Sequence, residues 1–197
     1  MLLPNQLTVL RIILTPVFLF LFLSDDSLFK QISLGVFFIA AITDWYDGWL
    51  ARKFNYITNW GKFMDPLADK ILTSAAFVAF GFLGILEFWM IILVVLRDFL
   101  VTGIRMLADY KGESMPTSML AKWKTFLQMV FIYYLLIIFT LKTVSAIYSG
   151  NEKLFELLTN SSFIYYSMLF ITLITVYTGI TYLYANRNLL GRLSQND

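Results

Sequence analysis

The sequence contains no cysteine and no histidine. Without thiolates or imidazoles, disulfides, histidine-based catalytic triads, zinc centres, haem and iron–sulfur clusters are all excluded. Charge is scarce as well: 14% of the 197 residues are Asp, Glu, Lys or Arg, against about 25% in an ordinary soluble domain. Any acid–base or metal chemistry must therefore use carboxylates, Lys, Tyr or Arg. A metal bound by such oxygen-rich groups is a hard one, such as Mg²⁺, Mn²⁺ or Ca²⁺. The net charge of +2, spread over scattered basic residues, offers nucleic acid no footing.

What is abundant is apolar: 59% of residues are hydrophobic, against roughly 45–50% in soluble domains even with glycine counted. This is a membrane composition. A crossing helix takes about 20 mostly apolar residues, and the sequence offers six such windows, over residues 7–23, 31–50, 70–86, 88–108, 123–141 and 162–185. Gly84 and Glu87 mark a tight turn between the third and fourth. The expected fold is all-α, a polytopic membrane protein of six transmembrane helices in one domain over residues 1–197, with no internal repeat. Arg11 and Pro16 interrupt the first window and leave two readings of Leu2 to Ile13, as part of a span or as an N-terminal helix along the membrane surface. The same Arg argues against a cleaved signal peptide.

Orientation follows from Lys and Arg, which short cytoplasmic loops retain. Eleven of them fall at the N-terminus (Arg11), in the second loop (Arg52, Lys53, Lys62, Lys70), in the fourth (Arg105, Lys111, Lys122, Lys124) and at the C-terminus (Arg187, Arg192). Three fall on the other side, Lys30, Lys142 and Lys153. Both termini are therefore expected in the cytoplasm.

Four of the thirteen acids lie between residues 44 and 69, in TDWYDGWLARKFNYITNWGKFMDPLADK. On a helix Asp44, Asp47, Gly48 and Ala51 share one face, and Asp65 and Asp69 share a face of the next. Two pairs of carboxylates can then converge across a helix–helix contact, where Gly48 and Ala51 leave room for a ligand. Pairing with Arg52, Lys53, Lys62 or Lys70 is the plainer alternative. Unpaired carboxylates near bilayer depth cost roughly 2.5–3.5 kcal/mol each, however, so four on facing surfaces point to a divalent cation.

The pattern Asp44-x2-Asp47-Gly48-x2-Ala51-Arg52-x8-Gly61-x3-Asp65-x3-Asp69 resembles the signature of the CDP-alcohol phosphotransferase family, with no departure at a fixed position. Eight fixed residues coincide by chance on the order of once in 10¹⁰ starting points. The resemblance implies six transmembrane helices, a homodimer, and transfer of a phosphatidyl-type group from a CDP-linked donor such as CDP-diacylglycerol to an alcohol, with release of CMP. It further implies that Asp44, Asp47, Asp65 and Asp69 hold two Mg²⁺ or Mn²⁺ ions and that Asp69 is also the general base. Gly48, Ala51, Arg52 and Thr58 would bind the donor. Asn5 and Thr8 in PNQLTVLR have two readings, as contacts to the nucleotide end, or as a helix cap and a hydroxyl satisfied within its helix.

The choice of alcohol rests on residues outside the signature. Arg97 lies inside the fourth window and Arg105 two turns later, in RDFLVTGIR, and Lys122 and Lys124 follow in AKWKTFLQ. A buried Arg requires an anion. A bridge from Arg97 to Asp98 is disfavoured because adjacent helical residues do not face each other. Converging cations suit an acceptor that carries its own phosphate. From residue 4 to about 128 the chain also looks like the bacterial phosphatidylglycerophosphate synthase branch of the family, which implies glycerol 3-phosphate as acceptor and a place in a bacterial inner membrane. Asp98 stands where that branch leads one to expect Glu, and Ala121 where Gly is expected. Inositol phosphate or phosphatidylglycerol remain alternative acceptors, and a cation channel or carrier an alternative class.

Overall fold

The structure, a computed structural model, describes residues 3–54, 59–113, 115–187 and 189–190. The side chains of Asp47, Gly48, Ala51 and Arg52, and the whole of Thr58, lie outside the described residues. The described residues form eight α-helices and no strand: α1 (Leu3–Leu23), α2 (Ser27–Phe54), α3 (Asn59–Phe82), α4 (Phe88–Tyr110), α5 (Met119–Lys142), α6 (Ser145–Tyr148), α7 (Glu152–Leu158) and α8 (Ser161–Ala185).

The six long helices coincide with the six apolar windows, but two outrun them in a way that matters for the site. α2 continues past its apolar stretch to Phe54 and α3 begins at Asn59, well before the apolar stretch expected from residue 70. The added turns are rich in good helix formers, Leu, Ala, Arg, Lys and Met. Those of α3 carry Asp65 and Asp69, while Asp44 and Asp47 lie near the end of the apolar stretch of α2, so that all four Asp stand on helix.

Leu3 to Ile13, for which the sequence left two readings, belongs to one helix, since α1 runs unbroken from Leu3 through Arg11 and Pro16 to Leu23. Arg11 is fully buried and ion-paired to Asp44 of α2 at 2.7 Å. Its charge is satisfied from another helix, which removes the reason for keeping this turn at the membrane surface. In the turn before Pro16, the Thr15 hydroxyl donates to the Arg11 carbonyl at 2.8 Å.

Among the described residues, α1 packs closely against both α2 and α3 and links their acidic faces, through Arg11 to Asp44 and through Thr8 to Asp65. Phe18 and Phe22 of α1 anchor this packing, with ring centroids 5.1 Å from Phe37 of α2 and 5.3 Å from Phe80 of α3. The same core takes in Met90 and Val94 of α4, Ile132 and Leu135 of α5, and Met168 of α8. Buried Ala68, Ala75, Ala76 and Ala79 let neighbours approach α3 closely. Gly84 ends α3 in the left-handed region (φ 69°) that glycine adopts without strain. The Glu87 carbonyl then accepts the Met90 N–H at 3.1 Å as α4 begins.

Among the described residues, four stretches are long and apolar enough to cross a membrane: Asn5–Leu23, Ser27–Asp44, Met119–Lys142 and Glu152–Ala185. Large apolar side chains on their outer faces, among them Phe20, Ile39, Phe170 and Leu173, are exposed, as a multi-pass membrane protein requires. α3 and α4 fall outside that measure because Asp65, Asp69 and Lys70 interrupt one and Arg97, Asp98 and Arg105 the other. Of those charges, Asp69, Lys70, Arg97 and Arg105 line one cavity.

Candidate active site

Thr8 and Arg11 stand one turn apart on α1, and each engages one acid of the signature. The Thr8 hydroxyl, fully buried, donates to Asp65 Oδ1, and Arg11 Nη1 pairs with Asp44 Oδ1 at 2.7 Å. Asn5 lies one turn earlier on the same face, half-buried. On α3, Lys70 Nζ lies 3.2 Å from Asp69 Oδ2. Each of these contacts engages a single carboxylate oxygen. The carboxylates of Asp69 and Asp65 act electrostatically on that of Asp44, and all three side chains keep part of their surface open. Among the described residues, no three acids lie close enough together to hold one ion. Asp47, the fourth expected ligand, lies outside the described side chains.

Asp69 and Lys70 also line a cavity of about 580 Å³ whose walls come from α3, α4, α5 and α8. Arg97, Arg105 and Lys122 line the same cavity. The structure thus brings the expected acceptor cations and the expected base to one space. Arg105 Nε is buried and has no hydrogen-bond partner among the described residues, while its guanidinium stands 6.0 Å from the Tyr182 ring centroid. Lys122 is exposed on the rim.

Two expectations about this cluster are corrected. Arg97 does reach its neighbour, with Nη1 3.1 Å from Asp98 Oδ1. The rule against adjacent pairs describes Cβ directions, and a side chain as long as Arg can fold back along the helix to meet its neighbour. Lys124 is not an acceptor cation, since it is 1% exposed and paired with Asp98. Asp98 is itself 3% exposed and also accepts from Gln128 Nε2 at 3.3 Å. It is the hub of a buried polar cluster behind the cavity wall.

The family model for CDP-alcohol phosphatidyltransferase matches residues 1–180. The chain belongs to the CDP-alcohol phosphatidyltransferase family. Among its relatives, a CDP-diacylglycerol–glycerol-3-phosphate 3-phosphatidyltransferase of Bacillus subtilis is 40% identical over 147 residues, 68% of this chain and 76% of that protein. A protein of the same name from Rickettsia typhi is 41% identical over 127 residues, 64% of this chain and 71% of its own. One from Mycoplasma pneumoniae is 36% identical over 171 residues, 78% and 75% of the two chains.

Within this CDP-alcohol phosphatidyltransferase, sequence reasoning missed Arg11 as the partner of Asp44, Thr8 as the donor to Asp65, and the residues of α8 behind Arg97. The first two had a signal in PNQLTVLR, where Asn5, Thr8 and Arg11 recur at helical spacing. The signal in α8 was absent, because Thr178, Gly179 and Tyr182 read as ordinary residues of an apolar helix.

Proposed function

We propose that the chain transfers the phosphatidyl group of CDP-diacylglycerol to sn-glycerol 3-phosphate, giving phosphatidylglycerophosphate and CMP. The observation that carries this reading is the cavity on which Asp69 meets Arg97, Arg105 and Lys122. There a carboxylate able to accept a proton stands beside three cations able to bind a phosphate. The relatives' name specifies the same donor and acceptor and supports the choice.

In this reading Arg97, Arg105 and Lys122 hold the acceptor's phosphate and so place its hydroxyl near Asp69. Asp69 takes the hydroxyl proton, and the oxygen attacks the lipid-side phosphorus of the donor. A new P–O bond forms as the bond to the CMP phosphate breaks, and CMP leaves with the electron pair. Thr8 and Arg11 fix the Asp65 and Asp44 carboxylates in place. Gly48, Ala51, Arg52 and Thr58, with Asn5, are the residues proposed to bind the donor.

The donor set suits Mg²⁺ or Mn²⁺: it is oxygen only, and the Asp44, Asp65 and Asp69 carboxylates act on one another electrostatically, as acids gathered in one region do. We infer two ions per site, on Asp44, Asp47, Asp65 and Asp69. When bound they would offset the charge developing on the attacking and leaving oxygens. Six crossings, a homodimer, and a bacterial cytoplasmic membrane with both termini and the site on the cytoplasmic side complete the proposal.

The test supplies purified protein with CDP-diacylglycerol, Mg²⁺ and a panel of glycerol 3-phosphate, glycerol, serine, inositol phosphate and phosphatidylglycerol, and identifies the lipid product. Phosphatidylglycerophosphate is expected, with free glycerol a poor acceptor because it brings no anion to Arg105 and Lys122. Equal use of glycerol or serine would overturn the acceptor assignment, and full activity in excess chelator would overturn the two ions. Arg105→Ala is expected to lower efficiency toward glycerol 3-phosphate about 10- to 150-fold, the value of a charge-assisted hydrogen bond. The KM for CDP-diacylglycerol should change little. Equal losses for donor and acceptor would remove Arg105 from the acceptor site.

A further inference from the structure

α8 lies outside the segments that carried the resemblance, yet it forms the surface on which the acceptor cations rest. The stem of Arg97 crosses Gly179 so closely that a methyl group there would come within 2.9 Å of Arg97 Cγ. Arg97 Nη2 donates to Thr178 Oγ1 at 3.1 Å. That hydroxyl donates its own proton to the Thr175 carbonyl at 3.0 Å, which turns its lone pairs toward the guanidinium. On the other side Nη1 meets Asp98. One turn along α8, Tyr182 faces Arg105 and lines the cavity, with its hydroxyl donating to Met115 Sδ at 3.3 Å.

An Arg side chain carries about 2 kcal/mol of rotamer entropy, part of which must be given up whenever a flexible cation grips a ligand. Here Arg97 is already fixed at its stem by Gly179 and at its tip by Thr178 and Asp98. Its Nε is buried and has no hydrogen-bond partner among the described residues. We propose that Thr178, Gly179 and Tyr182 form a seat on α8 that presets Arg97 and Arg105 for a phosphate-bearing acceptor. They are positioning residues: they act through the two arginines. The proposal rests on reading the cavity as the acceptor site, but it requires only a phosphate group and not a particular alcohol.

The experiment uses the purified full chain with Thr178→Val, Thr178→Ser and Gly179→Ala. Gly103→Ala serves as control, since a methyl group at Gly103 meets nothing within 4 Å. Two readouts are taken: KM and kcat for donor and acceptor, and the rise in melting temperature produced by inorganic phosphate alone. Thr178→Val and Gly179→Ala are expected to raise the acceptor KM about 10-fold, to leave kcat and the donor KM within about twofold, and to blunt the phosphate-induced shift. Thr178→Ser and Gly103→Ala should behave as the unmodified chain does. An unchanged acceptor KM and phosphate shift in both variants, or donor and acceptor KM rising together, would overturn the seat. If the unmodified chain does not use glycerol 3-phosphate, the proposed function falls. The seat is then judged by the phosphate shift, and stands only if Thr178→Val and Gly179→Ala weaken it.

Discussion

Asp69→Asn is expected to reduce turnover by about 10²–10⁴-fold, the range typical of removing a general base. Asn keeps the size and shape of the side chain, so the change isolates the charge and the proton acceptor. Asp69 is the acid of the signature that lines the cavity together with the three cations, and it keeps a third of its side-chain surface open. It is therefore placed to meet a hydroxyl delivered from that side. Donor affinity should survive in part, because Arg52 and the other three acids remain. The comparison with Asp65→Asn is informative, since Asp65 is held by Thr8 and is absent from the cavity lining. Both changes should suppress CMP release, but only for Asp69 does the reading assign the loss to the proton-transfer step. Near-normal turnover of Asp69→Asn at saturating substrates would move the base to another residue.

The second large effect concerns folding. Asp98→Ala leaves Lys124 buried at 1% exposure with its carboxylate gone, and takes an acceptor from Gln128 and Arg97 as well. Removing one partner of a buried pair costs about 3–5 kcal/mol, because the other charge stays behind uncompensated. Lys124→Met should be similarly harmful, since it leaves Asp98 dependent on Arg97 and Gln128. The double change Asp98→Leu with Lys124→Met should recover much of the loss, because apolar replacements of a buried pair are often neutral or better. Unfolding of the purified protein in detergent measures all three. Single changes costing under about 1 kcal/mol, or losses that simply add in the double variant, would show the pair to be energetically idle.

The long helices were legible because membrane spans announce themselves by composition, and the signature because four Asp at helical spacing are improbable in so apolar a chain. The spacing of those Asp placed them on helix as well, but the ends of α2 and α3 were not legible, since a window chosen for hydropathy stops where charge begins and the helix does not. Arg11, Thr8 and Asp98 share one reason for being misread: their partners lie 33, 57 and 26 residues away, on helices whose relative rotation no local pattern fixes. Asp98 shows this most sharply. Expected not to meet Arg97, it does meet it, and the fold also turns it toward α5, where Lys124 and Gln128 share one face.

The ion pair between Arg11 and Asp44 also bears on how the chain enters the bilayer. α1 contains no acid of its own, so Arg11 meets hydrocarbon uncompensated, at up to about 2.5–3.5 kcal/mol, until residue 44 has been synthesised. The turn between α1 and α2 spans only residues 24–26, short enough for the two helices to insert as one hairpin with the charge already matched. We expect α1 to enter with α2 as one insertion unit. A reporter fused after Leu23 should integrate less efficiently than one fused after Phe54.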